Sequence, residues 1–205
     1  MILDDPEYYW IYVVPSDPFA QTLIYKGKKA TKEDYLDHWG KWVIMDDKER
    51  LDELAADLDI AVERRWIPQI KYTRYPAPEM GLEKCVMAVF CDDRERGDIL
   101  QFLLVAGAMP QGWEYEKDMV ESWKPGGVFL ERVIAAKGLT GEEAKRFREG
   151  VPKQMEAWIE YTFGTGEKAK KLRESTFKTS GLILSAEDMN LIVDEKEKET
   201  DTGTK

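Results

Sequence analysis

The sequence predicts an α+β fold in which helices back a mainly antiparallel sheet. Strand-like and helix-like segments alternate over residues 40–116 in the order strand, helix, strand, strand, helix, strand, which is the pattern of a split βαβ core (βαββαβ). The chain has 205 residues, of which 43% are hydrophobic, so one main domain can bury a sizeable core. Helical periodicity after residue 135 adds an extension to this core.

Four segments are expected along the chain: an aromatic amino-terminal segment (1–38), the α+β core (39–135), a helical extension (136–193) and a charged tail (194–205). In the first segment, residues 8–14 combine aromatic and β-branched side chains, which are typical of a strand, and residues 21–25 form a second candidate strand. The tail has almost no apolar side chains to bury, so we expect it to be disordered.

Hydrophobic spacing assigns the core elements in order. Residues 40–45 predict a strand, and the helical spacing of Leu51, Leu54 and Leu58 predicts a helix capped by Asp46 or Asp47. Residues 66–72 predict a strand that Pro68 places at an edge or at a bulge, because proline cannot donate to a sheet ladder.

The second half of the core follows the same logic. Residues 84–91 are an apolar run of strand length between turn-prone flanks. The next helix extends to Ala106, with Ile99, Phe102 and Leu103 on its buried side, and a strand begins at Gly112. Residues 128–134 predict one more strand, which gives the sheet at least five.

The helical extension is expected to be broken in two places. Thr140 and Glu143 have the spacing of a capping box at the start of a helix that reaches Gly150. A new helix is expected after Pro152, over residues 153–163, and the glycines at 164 and 166 predict a hinge before a helix over 167–175.

The two cysteines indicate the cellular compartment. Cys85 and Cys91 lie on one predicted strand, about 20 Å apart at roughly 3.3 Å per residue. A disulfide requires Cα atoms within about 7 Å, so these two cannot pair. We expect two free, buried thiols, which favours a reducing compartment and a cytoplasmic location.

Composition excludes several classes of function. The net charge of −10 disfavours binding of duplex DNA through its phosphates, and no apolar run is long enough to cross a membrane. His38 is the only histidine, so no metal site is predicted and His38 is expected to be a surface or loop residue. Motifs for phosphate loops and nucleophilic hydrolases are missing, so no cofactor and no catalytic residue is predicted.

Tryptophan is unusually frequent, with seven residues in the chain. An aromatic ring beside a lysine or arginine is what stacking of a nucleotide or of a single-stranded RNA end requires. The residues of these types on or near the predicted sheet form the candidate ligand-binding set: Trp39, Trp42, Lys71, Arg74, Trp113, Lys117, Trp123 and Lys124. The alternative is that the tryptophans pack the core or cover an edge of the sheet.

The strand start Gly40-Lys41-Trp42 and the aspartate-ended strand at Asp92-Asp93 carry a family resemblance. Together with the helices that follow each strand, they resemble an uncharacterised protein family that shares the fold of the cap-binding translation initiation factor. The resemblance covers about residues 39–133. It implies a curved antiparallel sheet backed by helices and an aromatic ligand cleft, but no residue here is assigned as a counterpart of the factor's cap-stacking tryptophans.

Two functions follow from these observations. The first is a non-catalytic accessory or interaction protein that docks on a larger assembly and buries Tyr8, Tyr9, Trp10 and Trp158 against a protein partner. The alternative is a protein that binds a nucleotide or an RNA end through tryptophan stacking and Lys or Arg on the sheet face. An acid–base enzyme has no positive support, because spacing selects no pair among the 40 acidic residues.

Overall fold

A computed structural model describes residues 1–16, 24–25 and 28–171, with only the backbone given for 24–25 and 28–29. The expectations for residues 17–23 and 172–205, including the charged tail, lie outside this part of the chain. The strands are β1 (Ile2–Leu3), β2 (Trp10–Val13), β3 (Ile24–Tyr25), β4 (Lys28–Lys29), β5 (Trp39–Asp46), β6 (Gln69–Thr73), β7 (Cys85–Asp92) and β8 (Gly112–Tyr115). The helices are α1 (Lys32–His38), α2 (Lys48–Glu63), α3 (Arg96–Val105), α4 (Glu116–Ser122), α5 (Val128–Ala136) and α6 (Gly141–Phe163).

Six of these strands form one antiparallel sheet in the order β1-β2-β6-β7-β5-β8. Strand β7 lies between β5 and β6, and β5 lies between β7 and β8, so each βαβ unit is split by a strand of the other. The predicted α+β fold and its βαββαβ core are therefore confirmed. The amino-terminal strands β1 and β2 extend the same sheet beside β6.

The first face of the sheet packs against α2 and α3. Side chains alternate between the two faces of a strand, and the residues on this face join the buried sides of both helices in the largest apolar core. This core contains Ile11, Val13, Ile44, Leu51, Leu54, Leu58, Ile70, Tyr72, Met87, Val89, Ile99 and Leu103. The predicted buried sides of α2 and α3 are thus confirmed.

The second face carries a separate core beside α1, α4 and α6. Trp39 on β5 and Phe90 on β7 pack with Tyr35 of α1 and with Ile159 and Phe163 at the end of α6. Trp158 is partly buried there, with its ring centroid 5.5 Å from that of Tyr35. Farther along the same face, side chains of β2 and β6 remain partly exposed, among them Trp10, Tyr12 and Lys71.

Two strand predictions were wrong. Residues 128–134 form helix α5, because the buried residues Leu130, Val133 and Ile134 follow helical spacing, and a short apolar run does not by itself separate helix from strand. The fifth and sixth strands of the sheet are instead the amino-terminal strands β1 and β2. Strand β6 is an interior strand between β2 and β7, and Pro68 lies just before its first residue, where no ladder hydrogen bond is needed.

The helical extension also differs from its prediction. Helix α6 runs without a break through Pro152, although proline removes one backbone donor and its ring crowds the carbonyl group four residues earlier. Thr140 is the N-cap residue, but its side chain makes no capping hydrogen bond. The chain does contain a capping box, at Thr31 and Asp34 at the start of α1.

Both cysteines lie on β7 as expected, and both are free and buried. No helix in the described part of the chain combines the length and the apolar character that crossing a bilayer demands.

Candidate functional site

Three polar side chains meet inside the second face of the sheet. The Lys41 Nζ on β5 lies 2.6 Å from Glu116 Oε1, and the Tyr35 hydroxyl donates to Glu116 Oε2 at 3.0 Å. The Lys41 and Tyr35 residues are buried, and only 14% of the Glu116 side chain is exposed. A second carboxylate, that of Glu114, lies 3.8 Å from Lys41 Nζ but is half exposed. We call Lys41, Glu116 and Tyr35 the buried triad.

Each member of the buried triad is positioned by the helix or strand that carries it. Glu116 is the first residue of α4, directly after β8, so the edge strand sets its place. In the sheet register, Lys41 lies opposite Glu114 on β8 and opposite Phe90 on β7. Tyr35 lies on α1, whose start is fixed by the Thr31–Asp34 capping box. Three separate elements therefore bring these groups together.

Electrostatics keep the Glu116 carboxylate of the buried triad ionised and the Tyr35 hydroxyl neutral. Burial alone would raise the pKa of Glu116, but the charges of Lys41 and Lys71 and the hydrogen bonds from Lys41 and Tyr35 outweigh burial and hold it below its usual value. The pKa of the Tyr35 hydroxyl is raised by burial and by the neighbouring Glu116 carboxylate. The Glu116 carboxylate is thus fully paired within the cluster.

Lys71 on β6 has a different environment. Its Nζ lies 4.7 Å from the centroid of the Trp10 ring and 5.4 Å from that of Phe90, and Lys41 Nζ lies 5.7 Å from the same Phe90 ring. Among the described residues, no carboxylate is within 4.0 Å of Lys71 Nζ. Burial lowers the pKa of Lys71 to about 8, the Glu116 charge acts to raise it, and Lys41 adds to the lowering. Tyr12 on β2 lies directly opposite Lys71 in the sheet. We call Lys71, Trp10, Phe90 and Tyr12 the lysine–aromatic site.

The predicted ligand-binding residues are divided between the two faces. Trp39 and Lys71 lie on the second face, whereas Trp42 and Trp113 lie on the first, with ring centroids 5.5 Å apart. A side chain at Gly40 would overlap the Trp113 ring and would approach the Glu114 carbonyl oxygen to 2.7 Å. The Trp113 Nε1 is buried without a hydrogen-bond partner in the described part of the chain. Trp42 and Trp113 therefore have a packing role.

The remaining predicted residues lie apart from the lysine–aromatic site. Arg74, just after β6, donates to the Tyr8 and Asp5 carbonyl oxygens and pairs with Asp4, so it holds the amino-terminal segment. Lys117 lies over the Tyr115 ring, at 4.7 Å from its centroid. Trp123 packs on Phe129, and the neighbouring Lys124 pairs with Glu121.

Sequence reasoning did not place Trp10, Glu116, Tyr35 or Phe90 in a ligand site. From the sequence, Trp10 is expected only to contact a protein partner. Its position opposite Thr73, with Tyr12 opposite Lys71, depends on the pairing of β2 with β6, which are about 60 residues apart. Period-two alternation of β2 and β6 was a usable signal, but the register between them is not visible in one sequence.

A second polar cluster lies where α1, β7 and β8 end. His38 Nδ1 is 3.0 Å from Asp93 Oδ1, and the Tyr115 hydroxyl donates to Asp93 Oδ2 at 3.1 Å. His38 is the last residue of α1, rather than a loop residue. Asp92 is close enough to complete a group of three metal-ligand types with His38 and Asp93. However, the Arg94 guanidinium engages both Asp92 oxygens, so this cluster is satisfied as a hydrogen-bond network.

The lysine–aromatic site can attract an anion and can stack a flat ring. Lys71 Nζ has no carboxylate within 4.0 Å among the described residues, and Trp10 and Tyr12 present partly exposed aromatic surface beside it. Comparison with models of protein families, with curated proteins and with solved structures found no match.

Proposed function

We propose that this chain is a non-catalytic binding protein, and that the lysine–aromatic site takes a ligand with an anionic group and a flat ring. The observation that carries this proposal is the position of Lys71 Nζ between the Trp10 and Phe90 rings, with no carboxylate of the described residues within ion-pair distance. A half-buried cation without a counter-ion is costly in a folded protein. A bound phosphate or carboxylate would supply that counter-ion.

The comparison with Lys41 supports this assignment. Both ammonium groups lie near the Phe90 ring, but Lys41 is neutralised by Glu116 at 2.6 Å. The chain has a net charge of −10, yet Lys71 lies beside partly exposed aromatic surface with no carboxylate of the described residues within 4.0 Å. A nucleotide or a single-stranded RNA end has both required parts, a phosphate and a base, and each base that stacks contributes about 1–3 kcal/mol.

The proposal is tested by titrating a purine nucleotide and following tryptophan fluorescence. We expect saturable quenching in the wild type, and a loss of about tenfold in affinity in both Lys71→Gln and Trp10→Ala. Lys124→Gln is the matched control, since Lys124 is exposed and already paired with Glu121. Binding should weaken as salt rises, because the ligand is anionic. Quenching that is unchanged in both site variants would contradict the proposal.

A second candidate function is an accessory subunit that docks on a larger assembly. Its support is the apolar surface at the end of α3, where Leu104, Val105 and Met109 are 48%, 88% and 73% exposed. Val105 lies about one helical turn after Phe102. The ring centroid of Phe102 is 6.4 Å from that of the exposed Trp66. Exposed apolar surface of this kind is typical of protein contacts. The two free thiols support a cytoplasmic location for either function.

Native mass spectrometry of the protein purified from its own cells tests the accessory function. We expect a stoichiometric complex that dissociates in the double variant Val105→Lys, Met109→Lys and persists in Gln101→Lys, a change at an exposed polar position of the same helix. A monomer that carries a bound nucleotide would favour the ligand-binding function instead.

A further inference from the structure

Lys71 has the surroundings of a reactive amine. Two aromatic rings flank its Nζ, and three groups complete its neighbourhood: Lys41 on β5, Glu116 at the start of α4, and Tyr12, which is directly opposite on β2. The carboxylate that favours the ammonium form is that of Glu116, and it is already hydrogen-bonded to Lys41 and Tyr35. Removal from water and the neighbouring Lys41 ammonium group both favour an uncharged amine.

From this geometry we infer that Lys71 is a nucleophile that condenses reversibly with the carbonyl group of a ligand. The inference rests on the proposed function, since it uses the same site. It narrows the ligand to an aldehyde or ketone that also carries an anionic group.

The reaction needs no oxidant or reductant. The lone pair of Lys71 Nζ forms a bond to the carbonyl carbon while the C=O π pair moves to oxygen, and one proton passes from the nitrogen to that oxygen. The nitrogen lone pair then expels the hydroxyl group, which leaves as water after taking up a proton from solvent, and an iminium ion forms. Loss of the remaining N–H proton gives the neutral imine. The iminium charge would lie between Trp10 and Phe90, where the ammonium charge lies in the free protein. Addition of water reverses each step.

The other lysines of the described residues give a built-in comparison. Lys41, Lys48, Lys84 and Lys124 each lie within 3.2 Å of a carboxylate oxygen, whereas Lys71 has none within 4.0 Å among the described residues. With a pKa of about 8 against an ordinary 10.5, about a tenth of Lys71 is uncharged at pH 7, compared with about one part in three thousand for an ordinary lysine.

The experiment is reductive trapping of imines in the full-length protein at pH 7. Two probes are compared, each with borohydride and with mass spectrometry of the peptides: pyridoxal 5′-phosphate, which has a ring, a phosphate and an aldehyde, and propanal, which has only the aldehyde. We expect both probes to label Lys71 at least about tenfold faster than Lys124. The rate at Lys71 should level off above about pH 8, where most of its amine is uncharged.

Two results would overturn the inference. One is labelling of Lys71 no faster than that of Lys124 by either probe. The other is preference for Lys71 with pyridoxal 5′-phosphate alone, since the site would then attract the phosphate without an unusually reactive amine. Lys71→Arg separates this inference from the proposed function, because arginine keeps the charge but forms no imine. Nucleotide quenching retained in Lys71→Arg, with no trapping in the wild type, would contradict only the inference; trapping without nucleotide quenching would contradict only the nucleotide-binding proposal.

Discussion

The two faces of the sheet differ in what they bury. The first face and helices α2 and α3 enclose a core of apolar side chains, whereas the second face encloses Lys41 and Glu116 and half-buries Lys71. Burial of apolar area explains the residues of the first face without reference to any ligand. On the second face each charge requires a partner, and Lys71 lacks a carboxylate one among the described residues. The difference indicates that packing dominates one face and that function is to be sought on the other.

The largest effect is expected from Glu116→Ala. This change leaves Lys41 buried without its close carboxylate and removes the acceptor of the Tyr35 hydroxyl. We expect the free energy of unfolding to fall by about 3–5 kcal/mol, measured by urea denaturation at pH 7. Glu114→Ala is the control, because Glu114 is 3.8 Å from Lys41 and half exposed, and its loss should cost about 1 kcal/mol or less. Equal effects of the two changes would mean that the second face is not organised around Glu116.

The ion pair between Lys41 and Glu116 makes the free energy of unfolding depend on pH, and the sign of this dependence follows from the pKa of Glu116. The pKa of Glu116 is lower in the folded protein than its ordinary value of 4.5, so the unfolded chain binds more protons in acid. The stability that Glu116 contributes is therefore complete above about pH 4.5 and decreases as the pH falls through the folded pKa. The difference between wild type and Glu116→Ala should narrow below pH 4.5 in urea titrations.

The packing of the first face is tested by Gly40→Ala. The added methyl group would overlap the Trp113 ring and the Glu114 backbone, and overpacking of this kind costs about 1–3 kcal/mol. Gly97→Ala is the control: Gly97 lies in α3 with no atom within 4 Å of the position of a Cβ, so the change should be neutral or slightly stabilising. A Gly40→Ala protein as stable as the control would show that this sheet edge is loosely packed.

Replacing Lys71 with methionine is expected to stabilise the protein. The change removes a half-buried charge and keeps the side-chain length, for a gain on the order of 1 kcal/mol at pH 7. Because the pKa of Lys71 is lowered to about 8 in the folded state, the unfolded wild type binds more protons between pH 8 and 10.5. Wild-type stability should therefore rise toward that of Lys71→Met over this range. A destabilised Lys71→Met at pH 7 would contradict the account of Lys71 as a cation with no carboxylate of the described residues within ion-pair distance.

The smallest effect concerns the thiols of the first face. Burial raises the pKa of the Cys85 thiol, and it raises that of Cys91 to about 12, so neither forms the reactive thiolate near neutral pH. We expect no reaction with Ellman's reagent in the native protein and reaction of both thiols in urea. Rapid native labelling would show that the first face opens easily.

The first face could be predicted from sequence and much of the second could not. The run of residues 84–91 and the spacing of Leu51, Leu54 and Leu58 are local patterns, and each gave the correct element. Residues 128–134 were assigned to a strand because a short apolar run fits either period. Pro68 misled the placement of β6, since the strand that covers this edge comes from residues far away in the chain.

The candidate site was only partly accessible for the same reason. Lys71 was selected by its residue type beside predicted strands, but Trp10 and Glu116 reach its surroundings through pairings that single-sequence periodicity does not contain. The tryptophan pair Trp42 and Trp113 was selected for stacking, yet its packing depends on Gly40 and on the pairing of β5 with β8. Local hydrophobic patterns predict individual helices and strands. Which residues meet across the sheet depends on how the strands pair, and a single sequence does not show that pairing.

The hydrogen bond between His38 and Asp93 has a practical consequence. His38 is the only histidine in the chain, and it lies at the point where α1 meets the end of β7. A proton NMR spectrum therefore contains one set of imidazole signals, without any isotope labelling or assignment by mutagenesis. That set reports on the junction which joins the helices of the second face to the sheet, so a ligand that shifts α1 would be visible in a single resonance.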